Sequence, residues 1–456
     1  MIQNENLCVS AEQLQLTKAR IPGLFLKYAV PGVIGLLFIG IQTVIDGIFL
    51  SHFAGARALA SVNLILPCYN FMIAIAIVIG IGCQAFIGIR LGQSEIKTAN
   101  NALTSAFFFL AIFSSVVSIL IFSSSRFLAG LLGADEILME NAVRYIRALA
   151  PFLPALTLMF LGDYMLKVAG RPVFATCVMS GTVILNIILD FIFIGKLGWG
   201  VSGAGLATGI AFTAGAFCNV PVMFDRKQTL CIQRGHFKWR ILGQMFYNGS
   251  SEGVSELSAG ISIFMFNLIL MKHFGADGVA AFTALGYVLF IGVTVFLGIS
   301  DGVIPIISYN HGNQKPERVK ATIFLGARTN LCIGILLFSI LLVSGKWLMS
   351  LFFKSEETAV LDLAMQGAGI YAFAFLFNGL NILASGYFTA IGNAKISVIV
   401  SLSRGLIFIT LGILILPRLF GIESIWYVIP IAEFCTFLIS AGLFLRTTLH
   451  RPDPAK

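Results

Sequence analysis

Apolar runs long enough to cross a membrane recur along nearly all of this 456-residue chain, and no other feature narrows its possible folds so far. A hydrocarbon core of ~30 Å takes roughly 20 apolar residues in an α-helix. No water is present there to bond the backbone, so each run must satisfy its own amides and carbonyls, and the runs read as helices. The composition agrees, because 58% hydrophobic against 11% charged residues leaves too few charges to cover a water-soluble body of this size.

Twelve spans are predicted, at about 25–50, 58–86, 100–124, 148–169, 173–194, 201–224, 244–271, 279–307, 322–344, 365–389, 396–417 and 424–446. The first begins only after Arg20 and runs past signal-peptide length without an A-x-A site, so it reads as a retained helix. The net charge of +9 raises the question of nucleic acid, but the basic residues gather in alternate loops. Lys18, Arg20, Lys27, Arg90, Lys97, Arg171, the cluster Arg226, Lys227, Arg234, Lys238 and Arg240, then Lys315, Arg318, Lys320, Lys395, Arg446, Arg451 and Lys456 fall on one side. That is a positive-inside pattern, and with an even number of spans it places both termini in the cytoplasm.

The eight cysteines lie singly, without the C-x-x-C or C-x-x-H spacing of a zinc or redox site. Cys68, Cys83, Cys177, Cys218, Cys332 and Cys435 read as small buried hydrophobes, and no structural disulfide is expected.

An internal repeat organises the chain. "HFAGARALASV" at 52–62 parallels "HFGADGVAAFT" at 273–283, "GCQAFIGIRLGQ" at 82–93 parallels "GVIPIISYNHGN" at 302–313, and "KVAGRP" at 167–172 parallels "TAIGNA" at 389–394. The shift stays near 221 residues throughout. Each half then holds six helices, and because six is even, the halves are related by an axis along the membrane normal, an arrangement common in transporters. The expected division is a cytoplasmic segment 1–24, a bundle 25–224, a basic linker 225–243, a second bundle 244–446 and a tail 447–456.

Ionisable residues within spans are costly, so each needs a partner or a task. Asp46 lies late in the first span, in "VIDGIF". Asp190 follows Asn186 by four residues in "NIILD", which puts an amide and a carboxylate on one helical face. In the next span "GAGLAT" allows close helix approach and ends on Thr208. Together they suggest an oxygen-rich cage for a proton or a hard monovalent cation, with helix–helix hydrogen bonding as the alternative. The cage requires Asp46, Asn186, Asp190 and Thr208 to converge inside the first bundle. A shift of 221 sets Asn267 opposite Asp46, and one of 222 sets Phe408 and Gly412 opposite Asn186 and Asp190, so the second bundle is expected to lack it.

In the second half, Glu252 and Glu256 share a face of the seventh span, Arg404 lies in the eleventh and Glu433 in the twelfth. They read either as a charge-neutral clamp between helices or as carboxylates that attract an organic cation or carry protons.

Taken in order, "AVPGVIGLLFIGIQTVIDGIF" with "ALASVNL", "GIGCQAFIGIRLG", "NIILDFIFIGKLGWGVSGAGLAT", "FLGISDGVIPIISYNHG" and "GYFTAIGNAK" resemble the multidrug and toxic compound extrusion (MATE) family over nearly the full length, within it the MepA and DinF type of branch. The resemblance implies two six-helix bundles forming a V, a bacterial inner-membrane location, and a monomer that exports drug-like molecules in exchange for H⁺ or Na⁺ without a cofactor. It further implies that Asp46, Asn186, Asp190 and Thr208 bind the coupling cation, that Pro31 is a helix-bending proline, and that Glu252 and Glu256 handle substrate or protons, with Arg404 and Glu433 as a supporting network. Lys167, Asp163 and Asp301 depart from the family pattern and bear on substrate choice.

A lipid-precursor flippase of the wider superfamily would carry a basic cavity, whereas the intramembrane charges here are mostly acidic. A membrane enzyme would need a nucleophile or metal set, which five scattered histidines do not supply, and no G-x-x-x-x-G-K-[ST] loop indicates ATP hydrolysis. A channel would pass solute without a cation gradient.

Overall fold

Long apolar helices with no strands account for the structured chain in the computed structural model, which describes residues 11–233, 237–350, 352–353 and 358–449. Arg234, Arg451 and Lys456, and the outer parts of both terminal segments, lie outside the described residues. Membrane-length helices are α1 (Ile21–Ala54), α2 (Ala56–Gly92), α3 (Ile96–Ser123), α4 (Glu136–Val168), α5 (Pro172–Lys196) and α6 (Gly200–Phe224). After a continuous run Trp239–Gly312 come α9 (Pro316–Ser350), α10 (Val360–Ala390), α11 (Ala394–Phe420) and α12 (Ile422–Thr447). The chain is an integral membrane protein.

The run Trp239–Gly312 has 74 residues, about 110 Å if continuous, far beyond a ~30 Å hydrocarbon core. It breaks at Gly275, where φ is 62° and ψ −152°, a conformation open essentially to glycine alone. The segments on either side are α7 (239–274) and α8 (276–312). With this break, the eleven apolar helices among the described residues become twelve spans, most of them extending beyond the apolar stretches that signal them.

Backbone geometry repeats along with the sequence. Positive φ recurs at Gly55 and Gly275, at Gly170 and Gly392, and at the non-glycine pair Ser94 (63°) and Gln314 (52°). The shift is 221 at His52 and His273 but 220 at Gly55 and Gly275. The π-helical turn Leu50–Ala54 that ends α1 takes up the additional residue.

Two compact units result, Met1–Gly249 with Ser308–Pro316, and Ser250–Ile307 with Glu317–Lys456. The first extends past the basic linker because α7 begins against α2. Gly82 meets the Met245 carbonyl and Gly249 meets that of Val78, so a side chain at either glycine would collide with backbone. The linker itself is strapped to α3 rather than free. The backbone N–H groups of Cys231, Gln233 and Lys238 donate to Asn100 Oδ1 (3.1 Å), Thr104 Oγ1 (3.0 Å) and Ser105 Oγ (2.9 Å), and Leu230, Cys231 and Ile232 are buried.

The second unit packs aromatic side chains in its interior, with Phe266 stacked on Phe282 at 4.7 Å and Tyr371 edge-on to Trp426 at 5.8 Å. Large apolar side chains are equally common outside, Val343 being 86% exposed, as a lipid-facing surface requires. This corrects the cysteine expectation. Cys83 is buried, but Cys177, Cys218 and Cys332 are exposed, because lipid accepts a small apolar side chain as readily as a packed interior does. None of the seven described cysteines is in a disulfide.

Gly275→Ala is expected to lower stability by ~1–3 kcal/mol, since alanine cannot hold that φ and ψ without strain. Gly260→Ala, in α7 with open space where the methyl would go, should leave stability unchanged or raise it by up to ~1 kcal/mol. Thermal unfolding in detergent micelles compares them, and equal effects would refute the strained break.

Candidate functional site

Helices α1, α5 and α6 each bring polar atoms to one place inside the first unit. Asp46 comes from α1 with Gln42 one turn earlier, Asn186 and Asp190 from successive turns of α5, and Thr208 from α6. The α1–α5 contact is tied several turns away by the Thr176 hydroxyl, which donates to the Pro31 carbonyl at 2.9 Å. Pro31 therefore sits within α1 where its own ring removes an amide donor and its carbonyl bonds to α5.

Asn186, Asp190, Gln42 and Thr208 are buried, and Asp46 is half-buried. With its amide oriented to suit its neighbours, Asn186 donates to Asp46 Oδ1 at 2.9 Å and accepts from the Thr208 backbone N–H at 3.2 Å. The Gln42 amide end lies 2.8 Å from the Asn186 nitrogen, and turning it places there an oxygen that otherwise lacks a donor. The Asn186 amide is also 3.5 Å from the Thr208 hydroxyl.

Asp190 differs from the others. Its carboxyl group stands within hydrogen-bond reach of Asp46. Both of its oxygens are fully buried and neither receives a donor from the described residues. Two carboxylates cannot bond each other without a proton between them, nor stay charged side by side in a low dielectric without a cation. What the arrangement can do chemically is take up a proton or a small hard cation. Tyr69 and Tyr145 stand within electrostatic reach of the pair.

The second unit handles its acid in the opposite way. Glu433 of α12 is buried and accepts from Asn378 Nδ2 (2.7 Å), Asn381 Nδ2 (2.7 Å) and Arg404 Nε (2.9 Å), while Ser440 Oγ donates to Asn381 Oδ1 (3.1 Å). Three donors, one of them a cation, neutralise and hold this carboxylate, so the cluster fastens α10, α11 and α12 together. Arg404 sits in a π-helical turn, Ser403–Ile407, and faces Glu252 and Glu256 across electrostatic range, with Asp301 also near Glu252. Glu252 is half-buried and Glu256 exposed. Asp163 and Lys167 lie together on α4 as a buried ion pair at 2.6 Å.

Gln42, Tyr69, Tyr145, Asn378 and Asn381 escaped the sequence reading. Gln42 was legible as the residue four before Asp46, and Asn378 and Asn381 as an i, i+3 pair. The two tyrosines carry no local signal.

The MatE family model matches residues 31–192 and 257–414, one stretch for each copy of the repeat. The chain belongs to the MatE family. Curated relatives include the multidrug export protein MepA of Staphylococcus saprophyticus, 24% identical over 90% of both chains, and that of Staphylococcus haemolyticus, 24% identical over 91% of both. Among solved structures, a MOP superfamily transporter from Pyrococcus furiosus superposes with a TM-score of 0.89 at 22% identity, over 98% of this chain and 100% of that one. An outward-facing multidrug resistance MATE family transporter gives the same TM-score, identity and coverage. This MatE chain thus has the all-α, two-bundle fold of those structures.

The two acid clusters predict opposite responses to neutralisation. Glu433→Ala strands Arg404 and two amides in the bundle interior and is expected to cost ~3–5 kcal/mol. Asp190→Asn removes a carboxylate that no protein donor serves, and its unfolding temperature should equal or exceed that of the parent. Thermal unfolding of the purified variants checks both, and a large loss on Asp190→Asn would mean that the group is structural.

Proposed function

We propose that this protein is a secondary active multidrug exporter that expels small lipophilic, often cationic compounds in exchange for H⁺ or Na⁺ by alternating access. The observation that carries the proposal is the Asp46–Asp190 pair, two carboxyl groups in contact with both Asp190 oxygens lacking a donor. Thr208 and, once turned, Gln42 supply neutral oxygens beside it and Asn186 donates to Asp46, a polar set that suits a proton or a hard monovalent cation. The names of the MepA relatives support drug-like substrates.

Coupling then follows from linkage. A cation entering the Asp46–Asp190 site removes the repulsion between carboxylates and so favours whichever conformation holds them closest. It shifts the equilibrium between conformations only by its differential affinity for them, and substrate affinity must shift reciprocally. Pro31, whose ring weakens α1 about four turns before Asp46, is the position where the helix would bend when the site changes charge. Glu252 and Glu256 would attract a cationic substrate, with Arg404 anchored by Glu433 as the fixed counter-charge. The bundles 25–224 and 244–446 would move as bodies, the linker 225–243 travelling with the first, with both termini in the cytoplasm and a single chain as the working unit.

Proteoliposomes with imposed pH or Na⁺ gradients test this directly. Export of a fluorescent lipophilic cation should require one gradient and fall to background in Asp46→Asn and in Asp190→Asn. The double variant should lose no more than either single one, because both act through one cation. Wild-type gradient-driven export by either single variant, or passive flux without any gradient, would overturn the proposal.

A further inference from the structure

The two units treat one structural position differently. In the first, the third, fourth and sixth helices of the repeat are α3, α4 and α6, and the polar face of α3 is covered by the linker, with Leu230, Cys231 and Ile232 buried and the backbone N–H groups of Cys231, Gln233 and Lys238 held by Asn100, Thr104 and Ser105. In the second, the corresponding helices α9, α10 and α12 enclose an open groove of ≈ 750 Å³. The shift of 220 fixed by Ser94 and Gln314 places Lys320 where Asn100 stands, Phe324 where Thr104 stands and Ala327 where Phe107 stands. The polar grips that hold a chain segment in the first unit have thus become apolar, or cationic at the end.

The groove walls come from Phe324, Leu383, Phe437 and Phe444, and Phe324 is 74% exposed. At one end stand Glu317 and Lys320, both exposed and three residues apart on the first turns of α9. An apolar trough ending in one acid and one base matches an acyl chain joined to a zwitterionic headgroup. Basic pockets between membrane helices are an established way of holding lipid phosphate.

We propose that this groove is a binding site for one aminophospholipid, its acyl chain along α9, α10 and α12, its phosphate accepting from the Lys320 ammonium and its own ammonium donating to the Glu317 carboxylate. The lipid does for the second unit what Leu230–Ile232 do for the first, covering the equivalent face of the third helix with apolar matter.

Native mass spectrometry of the full-length protein in mild detergent, titrated with phosphatidylethanolamine and with phosphatidylglycerol, tests the proposal. The parent protein should retain one phosphatidylethanolamine in preference to phosphatidylglycerol. Lys320→Gln should weaken retention by about fivefold, the contribution of one basic side chain to lipid phosphate binding. Glu317→Gln should abolish the preference between the two lipids, and Ala327→Phe, which restores the ring found at Phe107, should eliminate the bound lipid. Undiminished retention in Ala327→Phe, or no headgroup preference in the parent, would overturn it. A phosphatidylethanolamine with a diazirine in its acyl chain, photolysed in proteoliposomes of the parent protein, gives a readout independent of any variant. Label on peptides of α9, α10 and α12 supports the site. Label confined to other helices overturns it, as does displacement from the groove by a lipophilic cation such as ethidium, which would make the groove part of the drug path.

Discussion

Everything in this structure depends on the hydrocarbon surroundings of a membrane, which offer the helices no hydrogen bonds. A buried donor or acceptor must find a protein partner or remain costly, and each polar side chain inside the spans is therefore a decision about what will satisfy it. Most are settled locally. Serines and threonines such as Ser61, Thr104 and Thr294 return their hydroxyls to the carbonyl four residues back, and Asn330 donates to the Gly379 carbonyl across helices. Buried atoms without a partner also occur at Gln84, Asn219 and Trp426, but at Asp190 the group is a carboxyl beside a second carboxyl, and that combination marks it as a function rather than a fault.

Glu433 and Asp190 show how the same chemical group serves opposite ends. Both are buried carboxylates in helices of a MatE protein. Glu433 is surrounded by two amides and a guanidinium, so its charge is neutralised and both its oxygens are bonded, and replacing any member exposes the others. Asp190 has another carboxyl group as its neighbour and no donor of its own, so its satisfaction must come from a mobile species. The first arrangement stabilises one packing of helices. The second makes stability depend on what is bound, which is the condition for coupling.

Duplication supplied a common scaffold on which the halves then diverged. The turn glycines Gly55 and Gly275, and the left-handed Ser94 and Gln314, persist in both because backbone direction at the helix ends depends on them. The side chains that project into each bundle are under no such constraint. Asn267, Phe408 and Gly412 stand where the first half has Asp46, Asn186 and Asp190, and Lys320 and Phe324 stand where Asn100 and Thr104 hold the linker.

The sequence by itself determined the class of fold, the number of spans and the repeat, because hydrophobic length and a recurring pattern are properties of the chain read in order. It also marked Asp46, Asn186, Asp190 and Thr208, since an ionisable or polar residue in an apolar run is conspicuous, and the spacing of four within α5 put two of them on one face. Only the tertiary structure decided that Asp190 lacks a donor whereas Glu433 has three, because donors arrive from helices far away in sequence: Asn378 and Asn381 from α10, Arg404 from α11. It likewise decided which cysteines face lipid and that the basic linker buries an apolar centre against α3. Hydrophobicity along a membrane chain reports that a residue avoids water, and a packed interior and a lipid tail satisfy that requirement equally, so the choice between them is made by helix rotation and contact alone.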